Sequence, residues 1–306
     1  MEYRLLGDSQ LRVSSIVLGT AFRGELVAEM PRVIDRALDL GINIFDTGGY
    51  IRKGVVTEEV VGRVVKGRRQ DVVLAVKQDP PLTQDLETRL ARLQTDYIDL
   101  LELLPCRCHA VCNSGYEGYE EAPHYSAGDA MERAERLVQQ GVVRYIGVSR
   151  YTTAQLEEST AAATGSKVLS NQIHYNLVQR DLGDEVRSYC AANKIAIMGF
   201  SPLGAGLFAG TDRAANEFLY DRYGLDTPAK LAAYRVLIET LGQIGRQRGK
   251  SVAQVAINWL LCQEIALPII GPDTVTHLEE NCGAVGWRLA AGELEQIDQA
   301  VSSLVV

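Results

Sequence analysis

The chain has 306 residues, 46% of them hydrophobic, and a formal net charge of −8; with a mean hydropathy near zero, that describes a globular chain with a full core, expected to form one domain over residues 1–306. The acid excess argues against a partner bound through phosphate, whether nucleic acid or an anionic membrane surface, because such proteins concentrate Lys and Arg and no run of them occurs here. Six cysteines fall far short of a disulfide scaffold, Met1-Glu2-Tyr3-Arg4 lacks a basic segment leading into an apolar one, and no apolar stretch approaches the roughly 20 residues of a bilayer span, so a cytoplasmic protein is expected.

From the start, Tyr3 to Val13 reads as a small hairpin turning at Gly7-Asp8-Ser9, a piece able to plug the bottom of a barrel. Short β-branched runs then predict parallel strands at Ile16 to Leu18, Ile42 to Phe45, Val72 to Val76, Ile98 to Leu103, Arg144 to Val148, Val168 to Gln172, Ile195 to Phe200 and Ile265 to Ile270. Apolar residues at i, i+3 and i+4 predict helices between them, over Met30 to Leu40, Glu58 to Lys66, Leu82 to Leu93, Gly128 to Gln140, Thr153 to Ala163, Leu182 to Ala192 and a long region from Pro228 to Leu261. Eight strands alternating with helices predict an α/β chain, a (β/α)8 TIM barrel with an N-terminal β-hairpin. A doubly wound sheet is the weaker reading, since no G-x-G-x-x-G follows the first strand.

Polar residues close several of the apolar runs: Asp46, Lys77, Ser149, Gln172 and Ser201. The loops after barrel strands all open on one face, so these side chains converge there. Asp46 facing Lys77 is a carboxylate and an ammonium at adjacent strand ends, and a cation in that place favours the phenolate of a tyrosine beside it. The plain alternative is a buried structural ion pair.

Taken together, Gly41-Ile42-Asn43-Ile44-Phe45-Asp46-Thr47, the stretch from Asp96 to Leu100, the stretch from Val143 to Ser149 and Phe200-Ser201-Pro202-Leu203-Gly204 resemble the aldo-keto reductase family, from about Tyr3 to Leu304. The resemblance implies hydride transfer between a nicotinamide cofactor and a carbonyl or alcohol, with Tyr, Lys, Asp and His around the substrate oxygen. A carbonyl that accepts hydride becomes an alkoxide and requires a proton donor over it. Asp46 and Lys77 match family positions directly. The tyrosine is displaced: Ile51 stands at the family spacing and Tyr50 comes one residue early, after Gly48-Gly49, whose glycines can re-aim the loop. The histidine is absent, because Asp99-Leu100-Leu101-Glu102-Leu103-Leu104 puts Leu104 where the family has His.

The segment Pro105 to Ser126 is longer than usual for the family and carries Cys106, Cys108, His109, Cys112, Tyr116, Tyr119, His124 and Tyr125. Its C-x-C-H-x-x-C spacing lacks the paired C-x-x-C of structural zinc sites, so no metal is expected; a lid over the substrate is, with His109, His124 or a tyrosine as a replacement acid.

By the same resemblance Ser149 and Gln172 hold the nicotinamide carboxamide, Phe200 stacks under the ring, and Ser201 and Leu203 meet the pyrophosphate. Arg150 replaces the usual Asn, weakening that clamp or turning it toward an acidic substrate. Gly271, Asp273, His277, Glu280 and Asn281 match the segment that wraps the adenosine. No Lys or Arg occurs from Ile269 to Glu280, and Asp273 would repel a 2′-phosphate while accepting from a 2′-hydroxyl, which predicts NAD over NADP. The expected function is a nicotinamide-dependent oxidoreductase acting on a sugar-like or cyclic polyol or ketone, with a small-molecule substrate as its partner. Two other readings stay open: an enzyme keeping NAD for a transient redox step in elimination or epimerisation, and a cofactor-binding regulatory protein.

Overall fold

The computed structural model describes residues 1–22, 24–78, 86–104, 125–180, 183–209 and 223–304. Strands β1 (Tyr3–Leu5) and β2 (Arg12–Ser14) form the expected N-terminal hairpin. Eight parallel strands follow in barrel order: β3 (Val17–Gly19), β4 (Ile44–Thr47), β7 (Val73–Gln78), β8 (Ile98–Leu103), β9 (Val143–Ser149), β10 (Val168–His174), β11 (Ala196–Phe200) and β12 (Ala266–Ile270). The last pairs with the first, so the sheet closes. Between β4 and β7 lies a two-stranded ribbon, β5 (Ile51–Arg52) with β6 (Val55–Val56), which the strand periodicity does not predict because each strand is two residues long.

Around the barrel lie α1 (Met30–Asp39), α2 (Thr57–Val65), α3 (Leu86–Leu93), α4 (Ala127–Gln139), α5 (Thr153–Ala162), α6 (Gly183–Ala192), α7 (Pro228–Arg248), α8 (Val252–Leu261), α9 (Val275–Cys282) and α10 (Ala291–Ser302). The apolar stripe of α1, Met30, Val33, Ile34 and Ala37, has the spacing of one helix face and is buried. The region expected as one helix from Pro228 to Leu261 is two. Gly249 takes the left-handed conformation at φ 63°, which ends α7, and Ser251 with Gln254 forms a capping box that starts α8. The expected start of α3 at Leu82 lies outside the described residues. Among the described residues no helix is long and apolar enough to cross a membrane.

The interior of the barrel is a cluster of its own: Val17, Ile44, Val73, Ala75, Leu100, Leu169, Ala196, Met198, Leu267 and Ile269, with Leu6 and Val13 of the hairpin. The hairpin closes the end where strands begin. Asn43, just before β4, accepts from the Ser14 amide at 2.7 Å and donates to the Arg12 carbonyl, and Arg4 donates to the Ala266 carbonyl at the start of β12. Each fully buried aliphatic chain contributes roughly 1.5–3 kcal/mol. Because side chains alternate along a strand, the parity of this cluster names the residues that face inward at the other mouth, except on β10, where a register shift between Val168 and Asn171 brings Gln172 rather than Asn171 inward.

Two buried carboxylates brace the outside. Asp99 accepts from the Leu74 amide at 3.0 Å and pairs with Arg69 at 2.7 Å and Arg144 at 3.1 Å, fixing β8 against β7. Glu135 on α4 accepts from the backbone amides of Thr164, Gly165 and Ser166 at 2.7–3.0 Å, and from the Thr164 hydroxyl at 2.6 Å. Burial disfavours its charge, but these donors prevail and depress its pKa to about 2. A depressed carboxylate pKa stabilises the fold above the ordinary value of 4.5 and loses that contribution as pH falls toward 2. Glu135→Ala should therefore cost about 1–3 kcal/mol at neutral pH, for amide donors left without their acceptor. The gap from wild type should close as unfolding is followed into acid, and a gap independent of pH would contradict the assignment.

Candidate active site

On β4 the inward parity runs from Ile44 to Asp46, on β7 from Ala75 to Lys77, on β8 from Leu100 to Glu102, and on β11 from Met198 to Phe200. The floor of the mouth is accordingly polar above an apolar layer. Lys77 Nζ donates to Asp46 Oδ1. Gln172 on β10 spans two carboxylates with one nitrogen, its Nε2 lying 3.0 Å from Asp46 Oδ1 and 2.8 Å from Glu102 Oε2. Burial opposes the charge on Lys77, yet Asp46, Tyr50 and Glu102 outweigh it and hold the ammonium above its usual pKa. Glu102 is fully buried. Burial chiefly, with the charge of Asp46 adding and Lys77 and Gln172 opposing, pushes its carboxyl up to about 8.

Glu102 is the residue that reading the strand end for a histidine passes over. Leu104, just past β8, has no donor in its side chain, but Glu102, two residues earlier, brings an acid to the cluster of Asp46, Lys77 and Gln172. Its parity with Leu100 is the sequence signal that finds it. A histidine also stands at the mouth, by another route. His174, two residues beyond Gln172 on β10, stacks on Phe200 with ring centroids 5.0 Å apart and planes within 7°. Its Nε2 lies 3.3 Å from both the Tyr223 hydroxyl and Asn176 Nδ2.

Tyr50 is half-buried and its ring folds back over Gly48, where a Cβ would lie 2.7 Å from the phenol oxygen. Gly49 supplies the left-handed turn, φ 64°, that permits this reversal. Arg52 sits over the Tyr50 ring at 5.2 Å and donates to the Phe22 carbonyl, tying the β5–β6 ribbon to the loop after β3. Ile51 points away and is 63% exposed. The glycines thus let Tyr50 fold back near enough for its charge to act on Lys77.

Behind the site, Arg89 of α3 binds Glu58 of α2 through two nitrogens at 2.6 and 2.8 Å, and donates to the Lys77 carbonyl and to Gln78 Oε1. Both charges are buried. Arg89→Met should cost about 3–5 kcal/mol in denaturant unfolding, because it leaves Glu58 buried with only the longer ion pair to Arg92, at 3.9 Å. Glu58→Met on top of it should recover most of that loss, whereas additive losses in the double variant would show that the pair is not the source.

Toward the cofactor side, the Ser149 hydroxyl donates to the Gln172 carbonyl at 3.2 Å, and Arg150, at φ 61°, lies over the Phe200 ring at 5.2 Å. After β11 come the left-handed residues Ser201, Gly204, Ala205 and Gly206, a turn around Leu203 closed by its own backbone bonds, with the Gly204 amide on the Ser201 carbonyl and the Gly206 and Phe208 amides on that of Leu203. After β12 come Gly271, Asp273 and then Thr274, which caps α9 by accepting from the His277 amide at 3.2 Å. On α9, Glu280 accepts from Gln254 through its carbonyl and Asn281 is buried. A nicotinamide dinucleotide fits this set. The Gln172 amide oxygen makes no hydrogen bond among the described residues and is suited to a carboxamide, Phe200 brings an aromatic ring that His174 and Arg150 now cover, and the α9 N-terminus suits phosphates. Among the described residues no group of three His, Cys, Asp or Glu side chains is placed to hold a metal ion. Cys106, Cys108, His109, Cys112 and His124 lie outside the described residues.

The comparisons with known proteins agree with this geometry. Residues 15–302 match the model of the aldo/keto reductase family. The chain is 30% identical over 315 residues to the uncharacterized oxidoreductase YrpG of Bacillus subtilis, covering 93% of this chain and 91% of that one. It is 27% identical over 299 residues to the chloroplastic pyridoxal reductase of Arabidopsis thaliana, covering 89% and 76%. An aldo/keto reductase from Klebsiella pneumoniae, solved with NADP and acetate, superposes with a TM-score of 0.74 at 25% identity, covering 95% of this chain and 92% of that one. The chain belongs to the aldo/keto reductase family and is a nicotinamide-dependent oxidoreductase of carbonyl and alcohol groups.

Proposed function

We propose that Tyr50 delivers the proton to the substrate oxygen, that Lys77 and Asp46 make it able to do so, and that the natural substrate is a hydroxylated, sugar-like or cyclic ketone or the matching polyol. The observation that carries this reading is Lys77, held by Asp46 at the mouth of the barrel and close enough to Tyr50 to be raised by it. An ammonium so strongly held does not give up its own proton near neutrality. Its part is to stabilise the phenolate left when Tyr50 protonates the nascent alkoxide. The bound nicotinamide supplies or accepts the hydride. Phe200 would face its ring once Arg150 swings off it, Ser149 and Gln172 would face its carboxamide, and the turn from Ser201 through Leu203 its pyrophosphate. The four-residue polar floor of Asp46, Lys77, Glu102 and Gln172 supports a substrate with hydroxyl groups rather than a plain aromatic aldehyde, since buried polar groups left unpaired cost binding energy.

Lys77→Met should abolish turnover even in protein that still folds and binds cofactor, and Tyr50→Phe should slow it by roughly 10²–10³, the usual cost of a lost transition-state donor. A coupled assay on a panel of hydroxylated carbonyls and polyols measures both. Activity within a few-fold of wild type for either variant would remove the assignment.

Cofactor preference should be NAD(H). Asp273 stands where the chain leaves β12 for α9, with no Lys or Arg from Ile269 to Glu280 to meet a 2′-phosphate. Asp273→Arg should move preference toward NADP(H) by about 1–3 kcal/mol, replacing a repulsion with a charge-assisted bond. Fluorescence titration decides it, and tighter NADPH binding by the unmodified protein would sink the idea.

A further inference from the structure

Glu102 has no part in the proton transfer just described, yet it lies fully buried within the same cluster. One oxygen, Oε2, accepts from Gln172 Nε2; the other, Oε1, has no hydrogen-bond partner among the described residues although it is shielded from solvent. The charges facing it are few. Lys77 comes from β7, directly opposite in register, Asp46 comes from β4, and Tyr50 acts from the β4–β5 loop through Lys77. On the other side β10 contributes the neutral amide of Gln172, and β9 opposes Glu102 with Gly147, which has no side chain. One ammonium therefore serves two carboxyl groups. Ionising both leaves an uncompensated negative charge in a buried place, which is the costly arrangement.

We propose that Glu102 is a proton-holding residue: its carboxyl is neutral in the resting enzyme, and losing its proton to solvent turns the floor of the site from neutral to negative, favouring the positively charged oxidised nicotinamide over the neutral reduced one. The inference rests on the cofactor reading above. Its physical content is linkage: a negative charge that strengthens NAD+ binding is itself stabilised when NAD+ binds, by the same factor. The floor would accordingly give neither cofactor form a charge advantage at neutral pH and would favour the oxidised form in alkali. Glu102 acts through charge and needs no contact with substrate, which makes it a positioning residue rather than a catalytic one.

The test has two arms, the first of them free of ligand. Infrared difference spectra of the wild type against Glu102→Gln should show a protonated carboxyl C=O band that fades with a midpoint near pH 8. Titration with NAD+ and NADH on either side of that midpoint should then show the affinity ratio shifting toward NAD+ by roughly tenfold with rising pH, the scale of one unit of pKa coupling. In Glu102→Gln the ratio should stay flat. Glu102→Leu, which extends the apolar layer of Leu100, serves as a second background if the amide disturbs the fold. A missing band, or a ratio that moves equally in the variants, overturns the proposal. Failure of every nicotinamide dinucleotide to bind removes the cofactor reading instead, and is told apart because the infrared arm reports the Glu102 proton in unliganded protein.

Discussion

One buried ammonium shared by two carboxyl groups sets the character of this protein. Lys77 meets Asp46 directly, and Glu102 is bound to the same centre through Gln172. In water such an arrangement would be unremarkable, because solvent screens each charge. At the mouth of a barrel floored by Ile44, Ala75, Leu100 and Met198 the charges are poorly screened. Lys77 is accordingly held protonated, and the second carboxyl is driven toward neutrality. Site chemistry and fold are coupled, since moving any of these strands changes the balance.

Support for that centre comes from outside the barrel. Arg89 and Glu58 carry their own buried ion pair behind β7, and the same guanidinium holds the Lys77 carbonyl. Asp99 clamps β8 through the Leu74 amide and two arginines, fixing the strand that carries Glu102. Tyr50 reaches the centre only because Gly48 leaves room for its ring and Gly49 turns the chain. The interaction that binds this loop, Arg52 over Tyr50, belongs to a ribbon too short to be read as strand.

Much of this was legible. The eight strands follow from β-branched runs of fixed length, and each lies within a residue or two of the expected bounds. Asp46 and Lys77 could be paired in advance because the end of a barrel strand has one direction to face. Less legible was anything needing a neighbour from another element. The long helix expected from Pro228 is broken because Gly249 and Ser251 cap two helices at once, a local signal easily overridden in reading by the apolar period that continues through it. Looking for a histidine at Leu104 found a gap, while the acid on the same face of β8 went unread. His174 lies two residues past the expected end of its strand, and only the fold sets its ring against Phe200.

The sequence by itself determined the alternation of strands and helices and the polar residues that end several strands, because these depend on local period and on steric rules that act within a few residues; the parity of β10 was not among them, since a register shift inside that strand turns both Leu169 and Gln172 inward. Only the tertiary structure decided that Glu102 and Asp46 share one lysine and one amide, and that Tyr50 turns back over Gly48. Those outcomes depend on closure of the sheet, which brings β4, β7, β8 and β10 to one mouth and excludes the water that would otherwise have kept their charges apart.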